Sequence, residues 1–194
     1  MTTFVLATAN PHKAEEMRAV LSPLGVDLLD RPEDVADVDE TGATLEENAL
    51  LKARALVETT GWPAIADDTG LFVDALDGLP GVRSARYAGE AASYDDNVTK
   101  LLNELEGVAV PRTARFITVI AVAFPDGTAF CVEGELDGVI THARAGDQGF
   151  GYDPVFVPND ADGRTLAQLS PPEKNDLSHR GRALRALSVE LASQ

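Results

Sequence analysis

Residues 65–89 read IADDTGLFVDALDGLPGVRSARYAG, an apolar approach followed by two adjacent carboxylates and a loop rich in glycine and arginine. Carboxylates at the end of a strand are a usual place to hold a hard cation, and neighbouring glycines let a phosphate approach the backbone. Successive strand side chains point to opposite faces, so we expect one of Asp67 and Asp68 to bind a metal or activate water and the other to be structural. Taken alone, Asp-Asp-Thr-Gly is also a good solvated turn.

The composition fits one domain, residues 1–194, in which 44% hydrophobic residues can form a sizeable core. The 16 basic and 32 acidic residues give a net charge of −16, which should repel nucleic acid and anionic lipid. High-salt adaptation and simple solubility explain this charge equally well. The chain has one cysteine, Cys131, and no basic-led apolar segment at its start. We therefore expect a cytoplasmic protein without a nucleic-acid or membrane partner.

Capping, turn and periodicity signals alternate between strand and helix, which predicts an α/β fold with a mixed sheet. Asn10 is a good N-cap with Pro11 at the first helical position, and Thr44 starts a capping-box pattern. The predicted elements are a strand at Thr3–Ala7, helices at about 11–24, 45–60 and Tyr94–Glu106, a hairpin of Arg115–Phe124 and Thr128–Glu135 around residues 125–127, and a last helix capped by Ser178.

The first strand-to-helix junction offers an anion site. A helix N-terminus presents backbone N–H groups and a partial positive charge, so Thr8, Asn10 and Lys13 could cradle a triphosphate. The junction lacks the P-loop pattern, and a capped helix with a surface lysine is the alternative. Glu40 precedes the second helix in a loop, where it could complete a magnesium site with one of the two aspartates or simply be solvent-exposed.

Residues 149–154, GFGYDP, place two aromatic rings beside glycines, where a planar base could stack. Asp153 follows them and could hydrogen-bond a base or a ribose. The alternative is that Phe150 and Tyr152 are core anchors of a tight turn.

Lys174 and the run Ser178-His179-Arg180 gather donors near the start of the last helix. The helix dipole favours acids at that end, so this inversion indicates an anionic or carbonyl-bearing ligand. For His179 alone, a buried structural histidine is the alternative.

Taken together and in this order, these segments resemble the inosine triphosphate pyrophosphatase family, hydrolases that cleanse the nucleotide pool of non-canonical purine nucleoside triphosphates. The resemblance covers nearly the whole chain. The motifs that carry it are Thr8–Lys13, Glu40-Thr41-Gly42 with residues 47–49 and 52–53, Ala66–Gly70, Gly81–Gly89, Gly149–Phe156 and Ser178-His179-Arg180. It implies an elongated, two-lobed α/β domain with a central mixed sheet, a magnesium-dependent active-site cleft between the lobes, and a homodimer.

The resemblance also implies a role for each candidate residue by motif position. Asp68 is expected to be the catalytic carboxylate, and Glu40 and Asp68 to hold Mg²⁺. The expected substrate contacts are Thr8, Asn10, Lys13, Lys52, Thr69, Phe150, Gly151, Tyr152, Asp153, Lys174, His179 and Arg180. Thr69 stands where many relatives have serine, and because it keeps the hydroxyl we expect the same hydrogen bond in a slightly more crowded site.

The implied reaction is attack of water on the α-phosphorus of ITP, dITP or XTP, which releases nucleoside monophosphate and pyrophosphate. Asp68 would orient or deprotonate the water, and His179 and Arg180 would donate to the carbonyl at purine position 6. We expect Lys13 and Lys174 to be exposed, so that removing either would cost little thermal stability. A non-catalytic nucleotide sensor and a pyrophosphatase for modified pyrimidine nucleotides are the alternative functions.

Overall fold

The computed structural model describes residues 2–33, 35–36 and 38–193. Within them, seven strands form one sheet, and five α-helices connect or flank the strands. The strands are β1 (Thr2–Leu6), β2 (Val26–Leu29), β3 (Ala64–Val73), β4 (Pro80–Gly81), β5 (Thr113–Ala123), β6 (Ala129–Ile140) and β7 (Phe156–Pro158). The helices are α1 (Pro11–Leu21), α2 (Leu45–Thr60), α3 (Tyr94–Glu104), α4 (Pro171–Leu177) and α5 (His179–Ser193).

The sheet is mixed. Its order is β2-β1-β3-β5-β6-β7, and the short β4 pairs with β3 outside this path. Strand β1 runs parallel to both β2 and β3, whereas β4 is antiparallel to β3 and β7 is antiparallel to β6. The predicted α/β class with a mixed central sheet is therefore confirmed.

Local signals place most element ends correctly. Asn10 caps α1 by accepting a hydrogen bond from the His12 N–H at 3.1 Å. Thr44 and Glu47 form the predicted capping box of α2, which ends at Gly61 in the left-handed conformation (φ 71°). The turn of the hairpin between β5 and β6 closes where the Phe124 N–H donates to the Thr128 carbonyl at 2.9 Å. Each of these contacts spans at most four residues, which is why the sequence predicts them.

The structure differs from the local predictions at three points. The Asp-Asp-Thr-Gly segment is neither a strand end nor a turn, because it lies inside the ten-residue strand β3, which runs from Ala64 to Val73. Helix α1 ends at Leu21, and a 3₁₀ turn over Ser22–Leu24 replaces its predicted last turn. Lys174 lies close to the start of the last helix, as predicted, but on a separate short helix, α4, that the sequence pattern did not reveal; the Ser178 N–H donates to the Lys174 carbonyl at 2.8 Å.

The chain divides into two compact units, each with its own core. The first comprises Met1–Asp68, Thr118–Gly134 and Arg180–Gln194, and the second comprises Thr69–Ile117 and Glu135–His179. In the first, Phe4, Met17 and Ile120 are among the fully buried residues, and in the second Leu101, Phe156 and Leu166 are. No helix in the described part of the chain is both long and apolar enough to cross a membrane. The predicted cleft between two lobes stays a prediction.

Candidate active site

Two carboxylates of the first unit converge on one ammonium group. Lys52 Nζ lies 2.7 Å from Asp68 Oδ1 and 3.0 Å from Glu40 Oε1. Asp68 lies in β3 and is only 6% exposed, and Lys52 projects from α2. Two acidic side chains from separate segments therefore share a single cation, the Lys52 ammonium group.

The Asn48 side chain links Asp68 by hydrogen bonds to the loop that carries Glu40. Its side-chain amide donates to Asp68 Oδ2 at 3.4 Å, and its Oδ1 accepts from the Gly42 N–H at 2.8 Å. A Cβ on Gly42 would lie 2.6 Å from Asn48 Oδ1, so only glycine allows this close approach. Sequence reasoning did not assign Asn48 to the site, although its spacing of four residues from Lys52 places both on one side of α2.

Asp67 belongs to a different ion-pair cluster. Its Oδ2 lies 3.0 Å from Lys13 Nζ and 3.1 Å from an Arg180 terminal nitrogen. The same guanidinium contacts Glu16 Oε2 at 2.5 Å through its other terminal nitrogen. Glu16 is a further residue that sequence reasoning missed. Its position three residues after Lys13 on α1, which puts the two side chains on one face, is the signal that could have found it.

The two aspartates titrate in opposite directions. Burial raises the pKa of the Asp68 carboxyl, and the neighbouring Lys52 opposes this shift only in part. Burial would also raise the pKa of Asp67, but Lys13 and Arg180 outweigh it and hold that pKa well below its usual range. Asp67 is therefore the more acidic of the two, whereas Asp68 is the carboxylate that more readily accepts a proton. The two aspartates thus differ in electrostatic environment, and the assignment of Asp68 as the metal-binding carboxylate stays a prediction.

The pKa values of Lys13 and Lys52 also shift in opposite directions. Burial lowers the pKa of the Lys13 ammonium despite the contact with Asp67. For Lys52, burial acts in the same direction, but the carboxylates of Asp68, Asp67 and Glu40 outweigh it and raise its pKa. Lys52 therefore remains charged when the carboxylates around it are ionised.

The predicted phosphate cradle lies at the start of α1. The Asn10 N–H donates to Thr8 Oγ1 at 3.1 Å, and the Asn10 side chain caps the helix. Lys13 follows within the first turn and points its ammonium group to Asp67. Of the predicted site residues, the first unit contains Thr8, Asn10, Lys13, Glu40, Lys52, Asp68 and Arg180.

In the second unit, Asp153 organises the glycine-flanked aromatic segment. Its Oδ2 accepts from the Phe150 N–H at 2.8 Å and from Lys174 Nζ at 2.6 Å. Lys174 Nζ also lies over the Phe150 ring, 4.6 Å from its centroid. Gly149 has φ 72°, and a Cβ there would lie 2.1 Å from the Asp153 carboxylate, so glycine is required for this turn. One carboxylate thus fixes both the backbone and the ring of Phe150.

Other predicted contacts of this unit are parts of its core. Tyr152 is buried in the hydrophobic core, and its hydroxyl donates to the Ser84 carbonyl at 2.9 Å. The His179 ring stacks on Phe116 with centroids 4.5 Å apart and planes 22° apart. The core-anchor interpretation is therefore confirmed for Tyr152, and His179 is buried against an aromatic ring, while its predicted contact with substrate stays a prediction. Gly151 adopts φ 62° in the turn, and Thr69 is half-buried in β3.

The expectation that Lys13 and Lys174 are exposed is wrong. Only 18% of the Lys13 side chain and 7% of the Lys174 side chain are exposed, and each lysine is paired with a buried aspartate. Removing either cation would leave a buried carboxylate without its principal counter-charge, which is costly.

The described residues hold no cluster of three or more histidine, cysteine or acidic side chains suited to a metal ion. The pair Glu40 and Asp68 nevertheless fits Mg²⁺, which commonly takes one or two protein carboxylates and completes its octahedron with water and phosphate oxygens. Their oxygens already share one cation, Lys52 Nζ.

Comparison with known proteins gives one consistent result. The Ham1 family matches residues 4–190. The chain is 50% identical to the dITP/XTP pyrophosphatase of Streptomyces coelicolor over 192 residues, 96% of each chain, and 50% identical to that of Geobacillus kaustophilus over 194 residues, 98% of this chain and 94% of the relative. Among solved structures, it is similar to a HAM1 protein from Coxiella burnetii, with a TM-score of 0.90, 41% identity and full coverage of both chains. The Ham1 protein of Staphylococcus aureus gives a TM-score of 0.87 at 39% identity, with 99% of each chain covered.

Proposed function

The chain belongs to the Ham1 family, and we propose that it hydrolyses non-canonical purine nucleoside triphosphates, dITP, XTP and ITP, to nucleoside monophosphate and pyrophosphate. The family prediction made from the ordered motifs is thereby confirmed. Relatives named dITP/XTP pyrophosphatase share about half of their residues with this chain over nearly its full length, which supports the same reaction here.

The observation that carries this proposal is the convergence of Glu40 and Asp68 on one cationic point at Lys52 Nζ. We propose that Glu40 and Asp68 hold Mg²⁺ when it is bound. Bound there, Mg²⁺ would neutralise phosphate charge and act as a Lewis acid on the phosphoryl oxygens.

Asp68 is assigned the proton transfer from water. Its carboxylate is the one of the pair whose pKa is raised by burial, so it accepts a proton more readily than Asp67. Asn48 holds its second oxygen at 3.4 Å and thereby restricts its orientation. A positioned carboxylate of this kind typically accelerates a reaction by about 10²–10⁴-fold as a general base.

Charge neutralisation is assigned to lysines and to α1. Lys52 is held beside the carboxylate pair, and Lys13 is directed by Asp67 at the first turn of α1. Both ammonium groups can donate hydrogen bonds to a phosphate as well as to their carboxylate partners, because an ionised phosphate is a strong acceptor. Asp67 would then position Lys13 rather than take part in proton transfer.

Base binding is assigned to the turn at Phe150 in the second unit. The Asp153 carboxylate and Lys174 hold this half-buried ring in place, which pre-organises it for stacking against a purine. The family resemblance further supports a homodimer acting in the cytoplasm, and static light scattering on a sizing column tests the dimer.

The deciding experiment is a nucleotide panel with separate measurement of pyrophosphate and orthophosphate. With Mg²⁺, we expect dITP, ITP and XTP to release pyrophosphate, and dATP and dGTP to release far less. Chelation by EDTA should abolish release, and added Mg²⁺ should restore it. Orthophosphate as the product would contradict the proposal.

Two further outcomes of the panel identify the alternative functions. Saturable binding of dITP without any product would show a nucleotide sensor. Preferred turnover of modified pyrimidine nucleotides would show the related pyrophosphatase.

A further inference from the structure

A second aromatic ring lies against Phe150. The Tyr94 ring is 5.8 Å from it between centroids, with the ring planes 40° apart. Tyr94 is 41% exposed, so part of its ring is accessible to a ligand. Neither its position nor any motif in the sequence marked Tyr94 for a site, because it is simply the first residue of helix α3.

The backbone under Tyr94 is fixed on both sides. Ser93 and Asp96 form a capping box, in which the Asp96 N–H donates to Ser93 Oγ at 3.1 Å and the Ser93 N–H donates to Asp96 Oδ2 at 2.9 Å. Arg144 lies 2.8 Å from Asp95 Oδ1 and 2.7 Å from Thr99 Oγ1, so it ties the first turn of α3 to the segment that leads into Phe150. The ring pair is therefore held from two segments of the same unit.

The environment of Phe150 explains why a second ring matters. Lys174 Nζ lies over the Phe150 ring at 4.6 Å, so its ammonium group covers part of the surface that a base could use. The ring centroids are 5.8 Å apart, which is too close for a planar base to enter between the rings, so a base would stack on the surface that the two rings present together. A purine is bicyclic, and two adjoining rings offer it more contact area than Phe150 alone.

We propose that Tyr94 is a base-stacking residue, which together with Phe150 forms a two-ring platform for the purine. This inference rests on the proposed function, since it takes the Phe150 turn as the base site. Aromatic stacking tolerates every base because every base has a π-face. Tyr94 therefore contributes affinity that is common to all purine nucleotides, while discrimination among them comes from other contacts.

Steady-state kinetics with dITP and dATP test this role. Loss of binding shared by ground state and transition state raises KM and leaves kcat nearly unchanged. For Tyr94→Ala we expect KM to rise about 5- to 150-fold for both nucleotides by the same factor. Tyr94→Leu, which keeps an apolar side chain for packing but removes the π-system, should behave like the alanine variant, and Tyr94→Phe should restore KM towards the wild-type value.

The matched control is Trp62→Ala. Trp62 is also an exposed aromatic ring, 52% exposed, but it lies just after α2 and belongs to the first unit. Its removal should leave KM within about twofold of wild type. Circular dichroism melting of each variant distinguishes lost binding from lost folding.

A direct binding measurement completes the test. Trp62 is the only tryptophan, so Trp62→Phe combined with Tyr94→Trp places a single fluorophore in the platform. Titration with IMP should change its emission saturably, and ribose 5-phosphate should not. A Tyr94→Ala enzyme with wild-type KM, or emission unaffected by IMP, would overturn the stacking role while leaving the proposed function intact. Wild-type protein that releases no pyrophosphate would overturn the proposed function, whatever the emission shows.

Discussion

The neighbours Asp67 and Asp68 offer the sharpest test of the site, because the same substitution should affect turnover at one position and folding at the next. In Asp68→Asn, Lys52 keeps Glu40 as its carboxylate partner at 3.0 Å, so the fold survives. An amide cannot accept the proton from water, so turnover of dITP should fall by about 10²–10⁴-fold, and by more if Mg²⁺ binding is also lost.

Asp67→Asn should do the reverse. The Asp67 side chain is fully buried and lies 3.0 Å from Lys13 and 3.1 Å from Arg180. Removing one member of a buried ion pair typically costs about 3–5 kcal/mol, because the partner charge stays buried without compensation. At about 2–4 °C per kcal/mol for a chain of this size, the unfolding temperature should fall by about 6–20 °C.

The assays are pyrophosphate release and calorimetric unfolding, both at pH 7 on the two variants and the wild type. Asp67→Asn should retain turnover within about tenfold of wild type below its unfolding temperature. The assignment is refuted if Asp68→Asn turns over dITP at a near-normal rate, or if Asp67→Asn melts with the wild type while losing all activity.

The sequence-based hypothesis for Arg180→Ala is a selective loss of ITP activity. Since this guanidinium pairs with the buried Asp67 and the half-buried Glu16, we instead expect a substrate panel to show equal losses of activity on ITP and ATP. A selective loss on ITP would support base selection by Arg180. Lys174→Ala should lower the free energy of unfolding by about 3–5 kcal/mol in a denaturant titration, because the buried Asp153 carboxylate loses its cationic partner at 2.6 Å. Unchanged stability would show that another group balances the Asp153 charge. Burial raises the pKa of the Cys131 thiol from 9.0 to about 11, so iodoacetamide at pH 8 should alkylate this thiol about 100-fold more slowly in the folded protein than in the unfolded chain. The alkylation rate of the folded protein should rise about tenfold for each added pH unit. Equal rates for folded and unfolded protein would contradict the raised pKa.

The sequence alone determined the features that depend on contacts between residues close together in the chain. The caps of α1 and α2, the stop at Gly61 and the turn over residues 125–127 all depend on partners within four residues. Such contacts form wherever the chain carries the right residue types, which is why the helix starts and the turn of the hairpin were predicted within about two residues. The order of the motifs was also enough to predict the family, because several weak patterns in one fixed order are specific together.

Burial and charge pairing were decided by the tertiary structure. Turn propensity favoured Asp-Asp-Thr-Gly as a bend, but β1 and β5 flank β3 in the sheet, and distant cations compensate its buried carboxylates. Arg180 meets Asp67 across 113 positions of sequence. No local pattern encodes a partner so far away, and a carboxylate in a sequence looks the same whether it is solvated or buried. The sequence therefore determined the family and the α/β class, and only the tertiary contacts between β3 and helices α1, α2 and α5 decided that Asp68 shares Lys52 with Glu40 while Asp67 pairs with Lys13 and Arg180.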